Sequence, residues 1–347
     1  MMKKVVITPI GKALYRGPGE FDRSSRGVHS SAVSNFYPYP STVAGLLSWL
    51  VKADRKRGVR KLGSGDWVSK YKEMLGENPL IYGPFYRVEE EYYVVYDLRN
   101  KKRMLIPIKL DGVNKYEVIY KYEYPGEIDT TKLIKERKID SGYYQDRIGI
   151  RLDKTSNNKT VERGGGLYTV RFFHPESISM DLQYVYFIDN IDLKNRSIVS
   201  RFGGEGSVAS ISISETETLD EVFNIGSARF IGLYVLSPIL IPTDQNVYTH
   251  LSNEISNCGF ELRRVIGEST LLGAGFSSIP IGSSGSGFIR RRRPIYNAVK
   301  PGSILYVEPG ENYTMDALKK LCMKGLGVGR EVGFGKLIPF QPISSGE

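Results

Sequence analysis

Apolar positions in this chain fall mostly into short runs of strand type, broken in a few places by helical spacing. Lys3 to Pro9 reads as a strand. The stretch 17–40, GPGEFDRSSRGVHSSAVSNFYPYP, is rich in Gly, Ser and Pro and has almost no apolar periodicity, so it predicts a long loop. After Pro40 the period changes. Ser41 and Thr42 are good N-cap chemistry, and Val43, Leu46, Leu47, Leu50 and Val51 recur at helical spacing. That helix runs out into KADRKRGVRK, with six Lys/Arg between Lys52 and Lys61. Cations there suit the negative end of the helix macrodipole, so they carry little weight as a ligand site. A short helix is expected over 66–75.

β-branched and aromatic residues then mark strands at LIYGPFYR, EYYVVYDL, MLIPIKL and YEVIYKYEY. Residues 146–173 read strand, polar gap, strand, with Lys154, Lys159 and Arg163 in a gap that has nothing to bury. This predicts an extended hairpin or finger near 151–166. MDLQYVYFID is another strand, and RFGGEGSVASISIS is a glycine loop leading into an alternating strand.

The remainder starts again with an apolar strand that ends in prolines, RFIGLYVLSPILIP. A Gly/Ser-rich passage at 273–287 precedes Arg290–Arg293, and SILYVEPG is a strand. TMDALKKLCMKG predicts a helix with Thr314 as N-cap, Asp316 in the first turn and Gly325 just past its end; Leu318, Leu321 and Cys322 share its core face. GLGVGREVGFGKLIP closes the chain as a second glycine loop and a last strand. Both halves thus run from an apolar strand to a glycine loop plus strand. The order predicts an α+β protein of two tandem ferredoxin-like (RRM-like) βαββαβ domains, 1–225 with the finger inserted and 226–347 ending in the glycine-rich loop.

Composition sharpens this only in its charge. The chain has 347 residues and a formal net charge of +10. A basic excess points first to nucleic acid and second to an anionic membrane surface. No apolar run reaches the length needed to span a bilayer, so no membrane partner is expected. Two cysteines, Cys258 and Cys322, make neither a disulfide framework nor a zinc site, and a reduced cytoplasmic setting is the default. His29, His174 and His250 lie far apart, so no metal and no cofactor is expected.

The C-terminal loop has five glycines between Gly325 and Gly335. Glycine permits close backbone approach, and such loops can present N–H groups to phosphate. Neither nucleotide fingerprint fits. Arg330 stands where a Walker A loop needs its first Gly, and Leu337 stands where it needs Ser or Thr. Both fingerprints also run strand to helix, whereas this loop runs helix to strand.

GLGVGREVGFGKLIP resembles the signature glycine-rich loop of the RAMP superfamily of CRISPR proteins. PYPSTVAGLLSWL (38–50), DRIGIRLDKTSNNKTVERGGGLYTV (146–170) and RFGGEGSVASI (201–211) are similar, in order, to segments of the third-subunit family of the type III-B Cmr interference complex. Ser207 stands where an Arg is common in that family, so no phosphate contact is assigned to it. The resemblance implies a non-catalytic RNA-binding subunit. It would grip the 5′ repeat-derived tag of crRNA, dock on the large polymerase/cyclase subunit and abut an adjacent backbone RAMP subunit. Its thumb would be the 151–166 finger.

With phosphate affinity supplied by Lys and Arg, the expected RNA contacts are Arg23, Arg26, His29, Arg147, Lys154, Lys159, Arg163, Arg290, Arg292, Arg330 and Lys336. The glycines expected to let backbone meet phosphate are Gly203, Gly204, Gly327, Gly329, Gly333 and Gly335. Ser41 and Thr42 would offer a helix N-terminus. Two other readings stay open. His29, in an Arg/Ser loop, could be the general acid/base of a metal-independent RAMP endoribonuclease. A small-molecule enzyme would need a convergent site, and neither Glu205 nor Glu89–Glu91 shows paired-carboxylate or metal spacing.

Overall fold

The computed structural model of the chain describes residues 2–16, 31–55, 67–96, 103–108, 110, 137–139, 144–150, 152–153, 160–161, 167–216, 219–225, 229–273, 276–281, 287–292, 294–311 and 313–341. Its first elements are β1 (Lys3–Ile10), β2 (Tyr15–Arg16), β3 (Ser31–Asn35), α1 (Pro40–Arg55), α2 (Trp67–Leu75), β4 (Leu80–Val88), β5 (Glu91–Tyr96), β6 (Arg103–Ile108) and β7 (Arg137–Ile139). Next come β8 (Tyr144–Ile150), β9 (Leu152–Asp153), β10 (Thr160–Val161), β11 (Leu167–Phe173), β12 (Gln183–Asp189), β13 (Arg196–Arg201) and β14 (Val208–Glu215). The rest are α3 (Asp220–Phe223), β15 (Ile231–Val235), β16 (Ile239–Pro242), α4 (Val247–Ser256), β17 (Phe260–Ile266), β18 (Ser269–Gly273), β19 (Phe276–Ile281), β20 (Gly287–Arg292), β21 (Ile295–Val299), β22 (Ile304–Pro309), α5 (Met315–Lys324) and β23 (Leu337–Phe340).

This is a mixed α+β architecture of mostly antiparallel sheets. The main sheet orders its strands β13-β14-β1-β12-β4-β5-β6-β7, and a second sheet orders β17-β22-β15-β23. β8 and β11 form a hairpin whose strands continue into the short pair β9–β10. Of the span 151–166, only 152–153 and 160–161 are among the described residues.

The central strands of the main sheet, β4 and β12, are buried on both faces, which explains their near-continuous apolar sequences. Along β12, Tyr184, Tyr186 and Ile188 join one core with Leu47 and Leu50 of α1 and Trp67 of α2. The alternate residues Val185 and Phe187 join another, with Leu233 and Val235 of β15, Phe223 of α3 and Leu318, Leu321 and Cys322 of α5. Each core draws on both sides of residue 225.

Buried tyrosines stitch across that division. Tyr82 Oη donates to the Leu337 carbonyl at 2.7 Å, and Tyr234 Oη donates to the Val95 carbonyl. Burial, with Cys322 adding to it, pushes the Tyr82 phenol well above its ordinary range, so it stays a donor. Tyr82→Phe leaves the Leu337 carbonyl without that donor at a wholly buried site. It is expected to cost about 1–2 kcal/mol, read as a lower urea midpoint with unchanged slope. An unchanged midpoint would show that this bond contributes nothing.

Three expectations change, and a fourth is left untested. Residues 31–35 are not loop but strand β3, parallel to β11 and antiparallel to β2. SAVSN has too little apolar alternation to declare itself, and its order comes from strands on either side. Second, α1 begins at Pro40, so Ser41 and Thr42 lie inside its first turn rather than at its N-cap. Proline at the first helical position forfeits no bond. Third, α4 carries a thin stripe of Val247, Leu251 and Ile255, with Asn246 as its cap, and is not foreseen from the pattern. Fourth, YEVIYKYEY lies outside the described residues. The ends of α5 agree with expectation: Thr314 Oγ1 accepts from the Ala317 amide at 3.1 Å, and Gly325 has φ +79°.

Candidate nucleic-acid interface

The C-terminal glycine loop follows α5 and packs back on its own chain. A Cβ at Gly335 would sit 1.9 Å from the Leu326 carbonyl oxygen, and one at Gly327 2.4 Å from that of Leu240. At Gly329 it would meet the Trp67 ring at 2.8 Å, and at Gly333 the Ile81 side chain at 3.2 Å. Three of the amides also have partners within the chain. Gly327 N donates to Glu254 Oε2 at 2.6 Å, Gly333 N to the Arg330 carbonyl and Gly335 N to the Pro238 carbonyl. At these positions glycine admits the protein's own backbone and side chains.

Lys336 is turned inward too. It is 1% exposed, and its Nζ donates to the Met323 carbonyl at 2.6 Å and the Lys324 carbonyl at 3.0 Å, closing the last turn of α5. Arg330 keeps partial exposure, but its Nη1 lies 3.3 Å from Glu254 Oε1, so a carboxylate already occupies its charge.

The internal loop behaves similarly. A Cβ at Gly203 (φ +98°) would meet the Leu14 carbonyl at 2.7 Å, and one at Gly204 would meet the Leu14 side chain at 3.1 Å. Gly204 N donates to that same Leu14 carbonyl. Ser207 Oγ accepts from the Leu14 amide at 2.9 Å and donates to the Gly204 carbonyl at 2.7 Å. Ser207 is thus a buried clamp, and Gly203 and Gly204 serve the contact it holds.

What the fold leaves available lies elsewhere. On the β8–β11 hairpin, Asp146 and Arg171 are cross-strand partners joined by two hydrogen bonds of 2.7 and 2.9 Å, a closed pair that holds the Asp146 carboxyl below its usual range. Strand alternation puts Gln145 and Arg147 on the opposite face. There Lys12 Nζ sits 4.3 Å over the Phe172 ring. Desolvation, then the Arg147 charge, lowers the Lys12 ammonium from its ordinary value. Arg147 donates to Gln145 Oε1 at 3.3 Å, and that oxygen also meets His174 Nε2. Among the described residues neither Lys12 nor Arg147 forms an ion pair. Two neighbouring cations without a carboxylate, at the base of the finger, favour an anion between them. Sequence reasoning singled out Arg147 and passed over Lys12, since nothing local to Lys12 reveals a neighbour 135 residues away.

A cleft of about 380 Å³ opens between α1 and the internal loop, lined by Thr42, Gly45, Leu46, Trp49, Ser200, Arg201, Phe202 and Gly203. It brings together Thr42 and Gly203 from the expected set and adds Trp49 and Arg201. Trp49 falls off the apolar phase of α1, a signal that was readable in the sequence. The helix N-terminus itself offers little, because Pro40 has no N–H and the amides of Thr42 and Val43 both donate to the Tyr39 carbonyl.

Arg290 and Arg292 stand opposite Ser278 and Phe276 in the β19–β20 register. Arg23, Arg26, His29, Lys154, Lys159 and Arg163 lie outside the described residues. Among the described residues, no three His, Cys, Asp or Glu side chains gather as a metal site, and no helix is long and apolar enough to cross a membrane.

No protein-family model matches the chain. The CRISPR system CMR subunit Cmr3 of Saccharolobus solfataricus is 30% identical to it over 256 residues, which covers 70% of this chain and 72% of that protein. A chain of the cryo-EM structure of the type III-B Cmr-beta bound to cognate target RNA and AMPPnP, state 1, is 26% identical and aligns with a TM-score of 0.53 over 87% of this chain and 86% of that one. A chain of the type III-B Cmr-beta bound to cognate target RNA covers 96% of both at 23% identity and TM-score 0.53, a likeness of fold.

Proposed function

The chain belongs to the Cmr3 family and is a subunit of a type III-B CRISPR complex, and from that premise we propose that it is the complex's non-catalytic holder of the crRNA 5′ tag. It docks on the large polymerase/cyclase subunit and abuts the first backbone RAMP subunit, with the 151–166 finger as its thumb. The observation that carries the RNA-holding part is the cation couple Lys12 and Arg147 at the base of that finger, with no carboxylate partner among the described residues. Phosphate contacts position a strand, while aromatics and base edges read it.

The two strand orders support a tandem ferredoxin-like reading with units 1–225 and 226–347. Both β14-β1-β12-β4 and β23-β15-β22-β17 follow the 4-1-3-2 order of a βαββαβ unit. In the first unit β13 takes the place of the second helix, between β12 and β14.

Binding of crRNA with and without its tag, across a salt series, tests the function. Tagged RNA is expected to bind more tightly, with affinity falling as salt rises. Lys12→Gln and Arg147→Gln are each expected to weaken binding several-fold and to flatten the log–log salt slope by about 0.7 for each phosphate left without its cation. Equal affinity for the two RNAs would overturn the tag assignment, and an unchanged slope in both variants would remove these residues from the interface.

A further inference from the structure

Thr42, Gly45, Leu46 and Trp49 fall at i, i+3, i+4 and i+7 on α1 and form one wall of the 380 Å³ cleft. Ser200, Arg201, Phe202 and Gly203, at the end of β13 and the start of the internal loop, form the other. A Cβ at Gly45 would have only Tyr71 Oη within 4 Å, at 3.8 Å, so the wall is open there. Trp49 is 51% exposed. The chain's other tryptophan, Trp67, is buried, donates to Tyr296 Oη at 3.2 Å and packs edge-on against Phe334. Arg201 is exposed, as is Lys52 one turn beyond Trp49. Among the described residues, no carboxylate lines the cleft.

An indole face, apolar flanks, two hydroxyls and a cation at the rim suit a flat aromatic ligand attached to an anion. The volume falls in the range of small-ligand sites and is too small for a docked helix. We infer that this cleft takes one unpaired nucleobase of the bound RNA, stacked on Trp49, with Arg201 on the adjoining phosphate. The inference rests on the RNA-holding reading. It places a base-stacking position on α1, apart from the phosphate contacts at the finger. Stacking on an aromatic face tolerates any base, so this position holds the strand without reading its sequence.

The test uses the full chain and the tagged crRNA. Tryptophan emission is followed during titration of the wild type, Trp49→Leu, Trp49→Phe and Arg201→Gln. Bound RNA is expected to quench the wild type and to leave the remaining Trp67 emission of Trp49→Leu unchanged. Trp49→Leu is expected to weaken binding roughly tenfold and Trp49→Phe much less, since a smaller aromatic still stacks. Arg201→Gln is expected to weaken binding several-fold with a shallower salt slope. Steady Trp67 emission before RNA is added reports that each variant has folded. RNA that binds wild type and Trp49→Leu alike, with no quenching, overturns the base site while leaving the RNA-holding reading intact. Emission that changes only when the other complex subunits are added without RNA also overturns it, by making the cleft a protein contact. A chain that binds no RNA at low salt, alone or assembled, overturns both.

Discussion

Gly335→Ala is expected to cost about 3–5 kcal/mol and to leave much of the chain unfolded at physiological temperature. Gly335 has φ +67°, and an added Cβ would lie 1.9 Å from the Leu326 carbonyl oxygen, 2.9 Å from its carbon and 2.9 Å from its amide nitrogen. All three are backbone atoms, so no side chain can swing away. The Leu326 amide also donates to the Gly335 carbonyl at 3.0 Å, so relief by movement would break the bond that closes the loop. Gly206→Ala is the control. Its φ is +77°, yet nothing lies within 4 Å of its would-be Cβ, so only the left-handed penalty of about 1 kcal/mol applies. Urea unfolding of the two variants separates backbone conformation from steric conflict. If they proved equally stable, the close packing of the C-terminal loop would not be what holds it.

The stability of the chain is also expected to rise between about pH 7 and pH 10, through Lys336. Burial pushes its ammonium from 10.5 down to about 7, with Glu331 opposing and Arg330 adding to the shift. In that window the unfolded chain keeps a proton that the folded chain has released, so stability grows with pH, by at most about 1.4 kcal/mol per unit. Below the folded value both states hold the proton and the penalty of burying the charge is fully present. Above the unfolded value both have lost it and the rise ends. The neutral amine suits its site, having two N–H groups for the two carbonyls of Met323 and Lys324. Lys336→Met keeps most of the stem's packing and is expected to abolish this part of the rise. Urea midpoints from pH 7 to 10 on both proteins provide the check, and parallel curves would show that Lys336 titrates near its ordinary value.

Where each element's cause is local, it was legible in the chain. Thr314 and Gly325 fix the ends of α5 by capping chemistry, and Leu318, Leu321 and Cys322 mark its buried face. Main-sheet strands β1, β4, β5, β6 and β12 declare themselves by β-branched and aromatic content, while β7 and β13 were not foreseen. β3 and α4 did not, because SAVSN and VYTHLSNEIS carry too few apolar residues and are ordered by what they pack against. The residues proposed for the interface divide the same way. Arg147 and the glycine loops stood out by type and clustering, while Trp49 was visible only as an aromatic off the helix's apolar phase. Lys12 and Arg201 carried no local mark.

The sequence by itself determined the family, the α+β class, the basic excess and the two glycine loops as loops, since motif, period and composition are properties of consecutive residues. Only the tertiary structure decided which cations remain available and which are consumed. Lys336 is closed inside the fold on α5 and Arg330 is tied to Glu254, while Lys12 is brought beside Arg147 and Trp49 beside Arg201. Local pattern encodes which face of an element is apolar; what that face or its neighbouring charge will meet depends on chain segments up to hundreds of residues away, and only packing brings them together.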